Sequence, residues 1–165
     1  MNPAYVPALI AGGFALLVAL LSPAFTAAAE RRLRKREVLA KAVGALASYR
    51  EYPYVIRRRD ESNPEAERRR ISTEVMAIQR ELTEASIWIG AEAPKLYDGY
   101  RTAVEDHRRI AGRLMNEAWG QPAMSDDAGM NIADLHDELA PLRDHDAFLA
   151  ELIRDEVTFR WNPFR

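Results

Sequence analysis

His107, His136 and His145 are the only histidines in this 165-residue chain, and each has acidic neighbours. Imidazoles beside carboxylates can bind metals or move protons, so they are the first candidates for chemistry. Carboxylate-bridged di-iron bundles need Glu-x-x-His pairs, but the residues three before these histidines are Val104, Ala133 and Leu142. No His-Glu-x-x-His pattern exists either. Asp144-His145-Asp146 sets carboxylates on both sides of an imidazole, and a solvated helix start accounts for it more simply. A membrane-tethered metal-binding enzyme using His136, His145 and nearby carboxylates is the lesser alternative, and no metal or cofactor is expected.

The chain has no cysteine, which removes disulfides, thiolate nucleophiles, iron–sulfur clusters and cysteine zinc sites. No phosphate-binding glycine loop, nucleophile elbow or EF-hand loop is present. These absences argue against the familiar enzyme classes. Arg57-Arg58-Arg59 and Arg68-Arg69-Arg70 are basic runs, but Asp60, Glu61, Glu65 and Glu67 lie between them. They read as an exposed, internally paired charged turn, and no nucleic-acid partner is expected. Trp88 and Trp119 read as packing residues. The tail Phe159-Arg160-Trp161-Asn162-Pro163-Phe164-Arg165 reads as docking on the bundle, because its aromatics would otherwise be exposed.

The elements that must position these residues are helices, and the fold class is all-α. Glu30 to Tyr49 carries an apolar stripe at helical spacing: Leu33, Val38, Leu39, Ala42, Val43 and Leu46. Tyr52-Pro53 predicts an end or kink there, followed by a short piece, Tyr54-Val55-Ile56. Asn63 is a cap with Pro64 in the first turn, and Glu65 and Glu67 favour the positive helix end. Ile71, Val75, Ile78, Leu82, Ala85 and Ile89 then alternate steps of four and three, a heptad seam that packs lengthwise on a partner helix. Gly90 is the predicted stop and Pro94 the next start. The following stripe is Leu96 or Tyr97, Tyr100, Val104, His107, Ile110 or Ala111, Leu114 and Ala118. The short connection predicts an antiparallel hairpin.

Trp119-Gly120-Gln121-Pro122 ends that helix, and a loop follows to Asn131. Helical spacing resumes at Ile132, Leu135, Leu139 and Leu142, with Pro141 as a kink or break. Phe148, Leu149, Leu152, Ile153 and Val157 form the last amphipathic stripe. The expected division is 1–29, 30–62 and 63–165, the last comprising a hairpin over 63–119, a loop over 120–131 and helices over 132–160.

The first segment sets the location. No side chain from Met1 to Ala29 is charged, and Arg31, Arg32, Arg34, Lys35 and Arg36 follow at once. Roughly 20 apolar residues cross a hydrocarbon core of about 30 Å, and Ala4 to Ala29 is long enough. A cleaved signal is the rival, since Ala27-Ala28-Ala29 offers a cleavage site. The missing basic n-region, the long apolar run and the basic flank favour an uncleaved anchor. Basic flanks stay in the cytoplasm, which predicts the N-terminus outside and the C-terminus inside. Within the span, Ala8 and Gly12, and Ala11, Ala15 and Ala19, have the spacing of close helix pairs; abundant alanine explains this equally well. Ser22-Pro23 is a predicted cap and restart.

Charge is also polarised. Glu30 to Arg70 holds 13 basic and 7 acidic residues, whereas Ile71 to Arg165 holds 10 and 18. That order suits a basic segment beside an anionic inner leaflet. Glu84 to Pro94, Ile110 to Trp119, Ala128 to Ile132 and the Arg160-Trp161 ending resemble uncharacterised single-span membrane proteins of GC-rich Gram-positive bacteria and their phages. The resemblance covers most of the part beyond the anchor. It implies a bacterial or phage membrane setting and transfers no activity or functional residue. The expectation is a bacterial inner-membrane protein whose partners are the lipid bilayer and either another protein or a second copy. The alternative is a secreted or surface helical protein released near Ala29.

Overall fold

The computed structural model describes the backbone of residues 5–124 and 132–157, and the side chains of 22–23, 25–124 and 132–154. All regular structure among them is helical: α1 (Tyr5–Arg57), α2 (Pro64–Glu92), a 3-10 turn (Pro94–Leu96), α3 (Tyr97–Trp119), α4 (Ala133–Glu138) and α5 (Ala140–Val157). The all-α expectation holds. The chain divides into two compact units, Met1–Arg36 and Glu37–Arg165.

In the first unit, α1 runs through Ser22-Pro23 without the expected restart. Thr26 Oγ1 donates to the Ser22 carbonyl at 3.0 Å and Arg31 Nε to the Ala27 carbonyl at 3.2 Å. Arg31, Arg32, Arg34 and Arg36 are exposed and Lys35 is half-buried. Among the described residues, no helix is long and apolar enough to cross a membrane. The apolar side chains up to Leu21, on which the expected span rests, lie outside the described residues, as do the small-residue pairs of that span.

The second unit begins inside α1, so its bundle includes a segment that the sequence division set apart as 30–62. Leu39, Ala42, Leu46, Tyr49, Pro53 and Ile56 alternate steps of three and four, and all are buried. This seam explains why α1 passes through Pro53 instead of ending there. An interior proline costs about 3 kcal/mol, whereas each large apolar side chain buried stabilises by about 1.5–3 kcal/mol. Tyr49, Tyr52 and Ile56, buried around Pro53, outweigh the lost amide bond.

Asn63 caps α2 as expected, its side-chain oxygen accepting from the Ala66 amide at 3.2 Å with Pro64 in the first turn. Ile71, Ile78, Leu82, Ala85 and Ile89 are buried and Val75 packs against the core. The helix does not stop at Gly90 but continues to Glu92, where the Ala93 amide caps the Ile89 carbonyl at 2.8 Å. Gly90 has another role: a Cβ there would meet the Tyr97 ring at 3.4 Å. The 3-10 turn therefore folds closely back, and α3 packs on α2. Leu96 at the end of the 3-10 turn and Tyr100, Val104, His107, Ala111, Leu114 and Ala118 on α3 are buried, which decides for Leu96 over Tyr97 and for Ala111 over Ile110.

Residues 125–131 of the expected loop lie outside the described residues, and so does the tail 158–165 with Trp161. Beyond them, the helix break falls at Leu139, and Pro141 sits in the first turn of α5, where its missing N–H costs nothing. Trp88 corrects its expectation: it is 56% exposed. It lies one position short of the buried Ile89, and a helix turns about 100° per residue.

The arginine run at the end of α1 is also less exposed than its composition suggests. Arg57 is buried. Arg59 donates to the carbonyls of Ile56 (3.0 Å), Ala118 (3.3 Å) and Gln121 (2.7 Å), and its guanidinium lies 5.4 Å from the Trp119 ring centroid. One cation thus satisfies carbonyls at the C-terminal ends of both α1 and α3, where the helix dipole favours it. The second run does pair internally, with Arg69 on Glu65 (2.8 Å) and Arg70 on Glu67 (2.6 Å) and Glu74 (2.8 Å).

Tyr100 supplies a test of packing. Its ring is buried and its hydroxyl has no hydrogen-bond partner among the described residues. Burial, opposed by Arg108, holds its ionisation well above the ordinary 10.0. Removing an unpaired buried hydroxyl should stabilise, so Tyr100→Phe is expected to gain about 1 kcal/mol at neutral pH in urea unfolding. The unfolded chain ionises its tyrosines from about pH 10 while the folded one resists, so stability falls as pH rises. The variant should lose less over that range.

Candidate functional site

The histidines are separated by the fold. His107 is fully buried on α3, His145 is half-buried on α5, and His136 is exposed on α4. Among the described residues no group of three or more His, Asp or Glu is placed to hold a metal ion. His136 and His145, paired in the metal alternative, have different partners: Arg143 for the first and Asp106 for the second.

What the fold does assemble is a polar centre between α1, α3 and α5. Asp144, His145 and Asp146 are not at a helix start, since α5 opens at Ala140. Asp146 follows Leu142 by one turn and precedes Leu149 by three residues, and both leucines are buried. The carboxylate therefore sits in the buried stripe of α5. Its Oδ2 accepts from Arg50 Nη1 on α1, and its Oδ1 lies 3.5 Å from His107 Nε2 on α3. The Arg50 and Asp146 side chains are only 18% and 19% exposed.

The protons on His107 follow from its neighbours. Nδ1 lies 2.8 Å from the Ala103 carbonyl, which only accepts, so Nδ1 carries hydrogen. The other nitrogen, Nε2, then faces a carboxylate oxygen, and neither atom has a hydrogen-bond partner. Asp146 therefore turns one oxygen to the Arg50 guanidinium and the other to the His107 ring. A second link lies alongside: Asp106 Oδ2 meets His145 Nδ1 at 3.3 Å, and Asp106 Oδ1 accepts from Arg109 at 2.6 Å.

At His107 the arrangement is structural. His107 spends one nitrogen on its own helix and is fully buried, so no substrate atom reaches it. Its effect is to fix the register of three helices, because any shift leaves a charge buried and unpaired. Sequence spacing already held the signal: His107 stood in a buried stripe, and Asp146 stood between two leucines of another. Each demands a polar partner across the core.

Outside the polar centre, α2 carries exposed apolar residues. Met76 and Ile87 are 69% and 67% exposed. At about 100° per residue they share one face, opposite the Ile71–Ile89 seam. Around α3 and α5, Asp98, Thr102, His145 and Phe148 edge an open cavity of about 270 Å³. The helices approach closely here, since a Cβ on Gly99 would lie 3.3 Å from Leu152. No protein-family model, curated protein or solved structure matches the chain.

Proposed function

We propose that this chain is a single-pass, membrane-anchored helical protein of a bacterial or phage membrane that acts through protein–protein contacts. The N-terminus lies outside and the helical bundle lies in the cytoplasm. The observation that carries this reading is the uncharged run from Met1 to Ala29, followed at once by Arg31, Arg32, Arg34, Lys35 and Arg36. Basic residues in such a flank favour anionic headgroups by about 1 kcal/mol each near the surface. The bundle, Glu37–Arg165, is a compact unit of its own. The apolar outer face of α2, with Met76, Ile87 and Trp88 beside it, is a surface for a protein partner or a second copy.

Extraction of native membranes tests the anchor. The full chain is expected to stay in the pellet in high salt and in alkaline carbonate, and to enter solution only with detergent. Its intact mass should include Met1 or Asn2. A mature form beginning near Glu30 would instead support release by cleavage.

A further inference from the structure

Three guanidinium groups and one imidazole converge on a cleft between α1, α4 and α5. Arg50, Glu51 and Tyr54 come from α1, Arg58 from the turn just after it, His136 and Leu139 from the α4 region, and Arg143 from α5, around about 210 Å³. Glu51 is the only carboxylate in this lining. It is 56% exposed and sits 3.4 Å from Arg50 Nε.

The donors are arranged by the fold. Arg143 Nη2 donates to the His136 carbonyl at 3.0 Å, and its guanidinium lies against the ring, 3.1 Å from Nε2 and 3.3 Å from Nδ1. Arg58 sits over the Tyr54 ring at 5.5 Å. Burial and Glu51 hold the Tyr54 phenol above its ordinary ionisation range, against Arg143, Arg58 and Arg50, so the hydroxyl stays a donor. Arg50 is anchored from behind by Asp146, which fixes its direction. The cleft is therefore rich in N–H and O–H donors and poor in acceptors.

We propose that this cleft binds a phosphate group, either a free phosphate or phosphomonoester or the headgroup phosphate of a lipid. An occupant must supply negative charge and several acceptor oxygens. Planar guanidinium forks match phosphate oxygens two at a time. The volume suits a single phosphate group, with the rest of a larger ligand left outside the cleft. The site does not depend on the anchoring proposal.

The test uses the full chain in detergent. One arm titrates inorganic phosphate, read by thermal shift and by Arg side-chain NMR. The other doses mixed micelles with phosphatidic acid against phosphatidylcholine. Saturable binding is expected in at least one arm, weakened at least about tenfold by Arg143→Gln and by Arg58→Gln. Arg154→Gln, an exposed arginine on the same α5, should leave it unchanged. Response to phosphate alone assigns a soluble ligand, and response only to phosphatidic acid assigns a lipid headgroup. No binding in either arm overturns the site, as does binding that survives both substitutions or falls equally with Arg154→Gln. Far-UV circular dichroism separates lost binding from lost fold, and if one variant unfolds the other carries the test.

Discussion

Asp146→Ala should destabilise the bundle by about 3–5 kcal/mol, because removing one member of a largely buried ion pair leaves its partner's charge uncompensated. Here the charged partner is Arg50, and His107 Nε2 lies 3.5 Å from the same carboxylate. The measurement is the urea midpoint of the full chain, with the slope checked for a constant change in exposed surface. Asp146→Asn keeps the shape and one acceptor and should cost less than alanine. A loss below about 1 kcal/mol for Asp146→Ala would mean that the carboxylate is an ordinary surface group. The prediction follows from position more than from charge, since most exposed pairs, such as Arg154 with Glu151, contribute little.

The second large effect is expected at the centre of the α2 seam. Leu82 is fully buried, whereas Met76 on the opposite face is 69% exposed. Leu82→Ala should cost about 2–5 kcal/mol through lost burial and the cavity it leaves. Met76→Ala should stay within about 0.5 kcal/mol. The pair matters because both residues lie on one helix and have similar helix propensity. Equal effects would show that α2 does not present the Ile71–Ile89 seam to the core. A large effect at Met76 alone would mean that its outer face is already occupied.

Legibility followed the range of the physics. Helical periodicity and capping act over a few residues, so the α2 seam, the Asn63 cap and the α3 stripe could be read from residue types. Even the choice between Leu96 and Tyr97 needed only the phase of one turn. Pro53 misled because a local rule was weighed without the seam that continues through it from Leu39 to Ile56. Trp88 misled because its size suggested burial while its phase did not permit it. Arg59 reaches carbonyls 59 and 62 positions away, and Arg50 meets Asp146 across 96. Such contacts leave no periodic mark, though a histidine or carboxylate inside a buried stripe points to a missing partner. The basic cleft was the least legible, because its three arginines do not lie together in sequence, with Arg143 lying 85 positions beyond Arg58.

The anchored topology is the central claim, and the absence of cysteine makes it directly measurable. Asn2→Cys and Ser62→Cys each introduce a unique thiol, and Ser62 is exposed. Cells expressing each full-length variant are treated with a membrane-impermeant maleimide before and after permeabilisation. The account predicts labelling of the Asn2→Cys variant in intact cells, and of the Ser62→Cys variant only after permeabilisation. Labelling of the Ser62→Cys variant in intact cells would contradict it.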